Sequence, residues 1–124
     1  MPFPEDFYEY LGNNTLTGIK GGFDRPGFLD IWMVEVDGRV FARSWGKSAR
    51  SWFSAFLATG AGEIRYGDRV IGVKGRQLTD DPHMNARIDR AYLEKYTQEE
   101  NVYYAKGITQ PEYADYTMEF LYEG

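Results

Sequence analysis

The clearest pattern in the chain is an alternation. Ile31 to Val36 is followed by Asp37-Gly38 and then by Arg39 to Trp45. An Asp-Gly pair tolerates the left-handed angles of a type I′ turn, whose twist suits antiparallel strands, so the pattern predicts a hairpin. Period two on its second strand puts Val40, Ala42 and Ser44 on one face and Arg39, Phe41, Arg43 and Trp45 on the other. Guanidinium groups interleaved with large rings are unusual on a face wholly buried in a core. The last segment alternates Tyr116, Met118, Phe120 and Tyr122 against Thr117, Glu119 and Leu121. This predicts a strand with one buried face, placed to close a small barrel.

Three stretches carry helical spacing. Pro4 suits a first turn and Phe7, Tyr8 and Leu11 form a stripe, so a short helix is expected over Glu5 to Leu11, stopped by Gly12-Asn13-Asn14. After Gly46 and Lys47, Ser48 is positioned to cap a helix to about Thr59, with Trp52, Phe53, Phe56 and Leu57 on one side and Gly60 at its end. Asp81-Pro82 reads as a cap followed by a first-turn proline, opening a helix from His83 to about Tyr96. Its stripe is Met84, Ile88, Ala91, Tyr92 and the stem of Lys95.

Between these elements, Leu16 to Lys20, Glu63 to Tyr66 and Val70 to Lys74 read as short strands. The last two, joined by Gly67-Asp68 and rich in glycine, are expected at sheet edges. Residues 97–114 lack a clean period and read as a loop. The expected class is α+β: a small, partly open antiparallel barrel with two main helices packed against it, in one domain over residues 1–124.

Composition narrows the chemistry. The chain has 124 residues and no cysteine, which removes disulfides, thiolate catalysis and cysteine-bound zinc. The first residues lack a basic region leading into an apolar run, and no long apolar run occurs elsewhere. Neither export nor a membrane span is expected, and the cytoplasm is the expected compartment. The net charge of −5 is segmental. Residues 1–36 hold two basic and six acidic side chains, residues 37–76 eight and three, and residues 77–124 four and ten. Only the middle third offers a positive pocket. With acidic flanks and no nucleic-acid module, it is read as a site for a small anion or for internal pairing rather than for nucleic acid.

Arg43, Lys47, Ser48 and Arg50 surround the strand-to-helix turn, where free backbone N–H groups of the new helix would add to the attraction for phosphate or carboxylate. The plainer reading is that Arg43 pairs with an acid from the flanking thirds while Ser48 caps the helix. Trp45 and Trp52 offer ring faces to a flat cofactor, with core packing as the competing role. Trp45 is the better ligand candidate, since it shares a strand face with Arg43. His83 and Asp89 are six residues apart on a helix, a poor spacing for a metal pair, and no metal site is expected. No nucleophile elbow accompanies the single histidine, so hydrolase chemistry has no support and no catalytic residue is assigned. Tyr92, Tyr96, Tyr103 and Tyr104 are candidate phenols for a polar pocket or a dimer surface.

Taken together, Val36 to Gly46, Ser51-Trp52-Phe53, Ala58 to Gly62 and Asn85 to Tyr96 resemble the DUF2255 proteins, a bacterial family of unknown function, over roughly Asp30 to Tyr122. That family is distantly similar to the split-barrel flavin-binding and deazaflavin-dependent nitroreductase superfamily. The resemblance implies a compact barrel, often paired with a second subunit around its cofactors. It also implies an anionic cofactor such as FMN or a deazaflavin, contacted here by Arg43, Trp45, Lys47, Ser48, Arg50 and Trp52. The local likeness is the order strand, Arg43-Ser44, glycine, basic link, Trp52-Phe53. Phe53 stands where the deazaflavin-dependent members commonly have a tyrosine, so the hydroxyl expected there is absent. The alternative is a noncatalytic homodimeric interaction module. The large aromatic complement of so short a chain favours a homodimer under either reading.

Overall fold

The computed structural model describes residues 2–46, 48 and 50–124. Its elements are α1 (Glu5–Asn13), β1 (Thr17–Gly21), β2 (Leu29–Ile31), β3 (Val34–Val36), β4 (Arg39–Arg43), α2 (Trp52–Thr59), β5 (Ala61–Tyr66), β6 (Arg69–Gln77), α3 (Pro82–Lys95), α4 (Glu99–Ile108), a 3₁₀ turn (Pro111–Tyr116) and β7 (Thr117–Tyr122). The seven strands form one antiparallel sheet in the order β2-β1-β5-β6-β7-β4-β3. This is the expected α+β half-barrel. No helix among the described residues is long and apolar enough to cross a membrane.

The predicted hairpin is present between β3 and β4, with Val34 opposite Phe41 and Val36 opposite Arg39. Asp37 (φ 52°) and Gly38 (φ 82°) both take left-handed angles, as a type I′ turn requires. Its first strand is not continuous, however. Residues 29–31 pair with β1 at one edge of the sheet, and residues 34–36 pair with β4 at the other. Only Trp32 and Met33 separate them, so the two edges lie within a few residues' reach and the sheet must curl. The terminal strand closes the curl, as expected, by pairing with both β6 and β4.

Two cores result. Inside the curve, Ile19, Val40, Ala42, Ile64, Val73, Met118 and Phe120 meet Phe7 and Leu11 of α1 and Trp52, Phe53 and Phe56 of α2. On the outer face of β3 and β4, Val34, Val36 and Phe41 meet Met84, Ile88 and Tyr92 of α3 and Ala105 and Ile108 of α4. The alternation along β4 therefore holds, but both of its faces are buried.

Several local expectations are corrected. Pro4 is the N-cap of α1, its carbonyl accepting the Phe7 N–H at 3.0 Å, and the helix runs through Gly12 to Asn13. Helix α2 begins at Trp52 because Ser51, not Ser48, caps it, accepting the Ser54 N–H at 3.1 Å. At its other end Gly60 takes φ 73° and donates to the Phe56 carbonyl, as predicted. Strands β5 and β6 are central rather than edge strands. Their glycines serve close packing: a Cβ on Gly62 or Gly75 would meet the Phe56 ring at 2.6 Å (Cζ) and 2.9 Å (Cγ). Asp81 caps α3 as expected, accepting the Met84 N–H at 2.9 Å. The stretch read as a loop holds α4, a helix with a narrow buried stripe of Ala105 and Ile108, acids in its first turn and Lys106 in its last.

Candidate functional site

Arg43 ends β4 on the face covered by α3 and α4, and is only 4% exposed. Its Nε donates to Thr117 Oγ1 at 3.0 Å. Nη1 donates to the Asp89 carboxylate and to the Ile108 carbonyl (3.2 Å), and Nη2 to the Asn85 carbonyl (3.3 Å) and side chain (3.0 Å). A guanidinium has five N–H donors, and these five acceptors use them all. Arg43 thus cross-links β4, β7, α3 and α4, and no donor remains for an incoming anion. Of the two readings drawn from sequence, internal pairing describes its guanidinium.

Beside it opens a cavity of about 520 Å³, bounded by β1, β2, the link from β4 to α2, and residues of α3 and α4. Five of the six residues singled out from sequence line it: Arg43, Trp45, Ser48, Arg50 and Trp52. The sixth, Lys47, lies outside the described residues. Arg43 forms part of the wall, and Trp52, 6% exposed, packs into the inner core against Phe120. Trp45 is 47% exposed and stands edge-on to Tyr113 (5.1 Å between centroids) and Tyr104 (6.4 Å). Ser48 is part of the turn: its hydroxyl accepts the Arg50 N–H at 3.2 Å and its carbonyl accepts the Ser51 N–H at 3.2 Å.

Among the other lining residues, Arg25, Trp32 and Tyr104 carry the charge and ring faces that sequence had not assigned to this site, and Lys20 and Asp30 also line it. Arg25 reaches across from the β1–β2 connection, donating from Nη2 to the carbonyls of Arg50 (2.6 Å) and Ser51 (3.3 Å). This holds two cations at one edge of the cavity. Arg50 is exposed and forms no ion pair among the described residues. Trp32 stacks on Tyr96 at 3.9 Å and 10°. The only sequence signal for Arg25 is its position as one of two cations in an acidic third, within a glycine-rich and proline-rich loop without period.

The phenols of α3 serve the fold. Tyr92 accepts the Arg43 backbone N–H at 2.9 Å, and burial pushes its hydroxyl up to about 12 against the opposing pull of Arg43. Tyr96 accepts the Met33 N–H (3.1 Å) and donates to the Thr15 carbonyl (2.8 Å), with burial again raising its pKa. Both stay protonated at neutral pH and neither is poised as a base. Tyr103, in contrast, is 79% exposed on α4.

Fold and cavity define a class: an α+β half-barrel protein with an aromatic-walled cleft edged by arginine. The chain belongs to the family described as "Uncharacterized protein conserved in bacteria (DUF2255)", whose model matches residues 22–120. No protein of curated function matches the sequence. Among solved structures, the conserved hypothetical protein Rv2991 from Mycobacterium tuberculosis is similar in fold, with a TM-score of 0.62 at 14% identity. The alignment covers 98% of this chain and 82% of that one.

Proposed function

We propose that the cleft binds a flat ligand bearing an anionic group, an FMN or deazaflavin cofactor, and that the protein is a redox protein of the cytoplasm. The observation that carries this reading is the joining of Arg25 and Arg50 at the edge of a cavity walled by Trp32, Trp45 and Tyr104. Its volume falls within the range of about 300–1,000 Å³ typical of small-molecule sites. The donor set suits the anionic end of such a cofactor: Arg50 supplies a guanidinium without an ion pair among the described residues, and Arg25 brings a second charge to the Arg50 backbone. Ring faces on the walls offer stacking area to the planar end at small entropic cost. The bound cofactor would supply the electron or hydride chemistry. The chain's part is to hold the phosphate, orient the ring and keep water from it. Arg43 contributes by fixing the wall rather than by touching the ligand.

The test is a fluorescence titration of the purified protein with FMN and with a reduced deazaflavin, repeated for Arg50→Ala, Arg25→Ala and Trp45→Ala. Loss of one solvated arginine contact, about 1 kcal/mol, should weaken binding roughly fivefold. Trp45→Ala should weaken it as well while leaving the melting temperature unchanged. Failure of the wild type to bind either ligand would sink the proposal.

A second reading has its own support. Trp45, Tyr103 and Tyr104 form an exposed aromatic surface over a shallow hollow on α4 that also includes Lys106, Gly107 and Gln110. Such rings suit a protein interface, and a homodimer formed through them would make the chain an interaction module. Light scattering at micromolar concentration should then give twice the mass of 14.3 kDa. A monomer at high concentration would exclude it.

A further inference from the structure

A second cavity, of about 330 Å³, lies between α1, β3 and α3 and shares no lining residue with the cleft described above. Lys95, in the last turn of α3, lines it together with Tyr8, Gly12, Glu35 and Glu94. Its Nζ donates to the buried Met33 carbonyl at 2.6 Å, at the crossing between the two edges of the sheet. Among the described residues it forms no ion pair. Its other contact is the face of the Tyr96 ring, 5.3 Å to the centroid, and partly buried ammonium groups ordinarily come with a carboxylate partner, because one hydrogen bond and a ring face do not replace full hydration.

We propose that Lys95 is a reactive amine that captures small, neutral aldehydes or ketones entering this cavity as a Schiff base. An amine held without a counter-ion is favoured in its neutral form, which is the nucleophile. Burial accordingly lowers its pKa to about 8, from 10.5. The cavity's other functional groups point to the class of ligand. Tyr8 is engaged with the Gly38 carbonyl and Glu35 with the Gly38 N–H, Glu94 adds a second carboxylate, and no second cation among the described residues lines the space. Anionic electrophiles are therefore disfavoured, which leaves a neutral carbonyl compound as the class of ligand. In the reaction the nitrogen lone pair bonds to the carbonyl carbon and the C=O pair moves to oxygen. A proton passes from nitrogen to that oxygen, and loss of one water leaves the C=N bond.

Incubation of the full chain with propanal and cyanoborohydride at pH 7.5, followed by peptide mass mapping, tests this directly. At that pH the lowered pKa gives Lys95 roughly two-hundredfold more free amine than an ordinary lysine, so even with restricted access it should be alkylated at least about tenfold faster than Lys20, Lys74 or Lys106. Gly12→Leu supplies the control. A Cβ at Gly12 meets nothing within 4 Å, and leucine is the better helix former, so the variant should fold while filling the cavity mouth. It should bring Lys95 down to the rate of the other lysines. The proposal is overturned if wild-type Lys95 reacts no faster than they do, or if a folded Gly12→Leu protein leaves its rate unchanged.

Discussion

Phe56 of α2 lies directly over Gly75 of β6, with ring atom Cγ 2.9 Å from the place a Cβ would take. Gly62 on the neighbouring strand also lies under this ring, its Cβ position 2.6 Å from Cζ. The two glycines form a seat in the middle of the sheet, and that one ring covers their backbone. Gly75→Ala should destabilise the protein by about 1–3 kcal/mol through overpacking. Gly27→Ala is the matched control, since a Cβ there meets nothing within 4 Å. Thermal melts should show a loss of several degrees for the first and none for the second. Equal melting temperatures would mean that the seat is not close-packed.

The Arg43 knot predicts a larger effect. Arg43→Met keeps the stem but leaves Asn85, the Ile108 carbonyl and Thr117 without their donor. Removing one partner of a buried charged network costs about 3–5 kcal/mol. Because the Asp89 side chain is 37% exposed, its charge stays hydrated and the lower end applies. Asp89→Asn should cost less, about 1 kcal/mol, since most of the guanidinium's acceptors remain. Urea midpoints for the two variants measure this order, and the reverse order would contradict the five-acceptor description.

Glu119 should make the fold acid-sensitive. It is 3% exposed and accepts from Arg39 Nε and Nη2 (3.0 and 2.8 Å) and Arg76 Nη2 (3.0 Å). Burial raises its pKa, but the hydrogen bonds and charges of the two arginines prevail and hold it below the ordinary 4.5. With the folded value depressed, the unfolded chain takes up the proton first. The stabilisation is therefore fully present above the unfolded pKa and is lost as pH falls through the folded one. Glu119→Gln should cost about 1–2 kcal/mol at pH 7, with the partly solvated arginines keeping it modest. The gap to wild type should narrow below about pH 4. A gap independent of pH would show that shape, not charge, is what the amide variant fails to supply.

How much of this was legible follows from which interactions are local. The Asp37-Gly38 turn, the Asp81 cap and the Gly60 stop depend on residues a few positions apart, and they appear where the sequence placed them. Residues 31–36 read as one strand because all but Glu35 are apolar and they run unbroken into the Asp37-Gly38 turn. The break at Trp32-Met33 arises only because β1 and β4, distant in the chain, claim its two halves. Glycine-rich β5 and β6 looked like edges, yet their glycines answer to Phe56, a partner that periodicity along a strand does not reveal. Helix α4 buries so narrow a stripe that its apolar period is faint, although Glu99 and Glu100 at one end and Lys106 at the other were a readable charge pattern. For the cleft, sequence brought out the residues of the link from β4 to α2. It could not bring out Arg25, whose place beside Arg50 depends on how a loop without period folds back.

Trp45 connects that late-emerging helix to the cleft. A Cβ on Gly107 of α4 would lie 3.0 Å from Cη2 of the Trp45 ring, so the absence of a side chain at Gly107 sets where this wall of the cleft stands. Gly107→Ala should push the indole outward by a few tenths of an ångström, since Trp45 is half-exposed and free to yield. Within a helix the same substitution is favourable by about 0.8–1.0 kcal/mol, which offsets the contact and leaves the melting temperature level or slightly raised. Gly107→Val enlarges the displacement. Tryptophan emission should shift in the order Ala then Val, and FMN or deazaflavin affinity should fall in the same order, with no matching order in stability. Affinity that held constant while the emission shifted would remove Trp45 from the ligand's contacts and leave it a surface residue of α4.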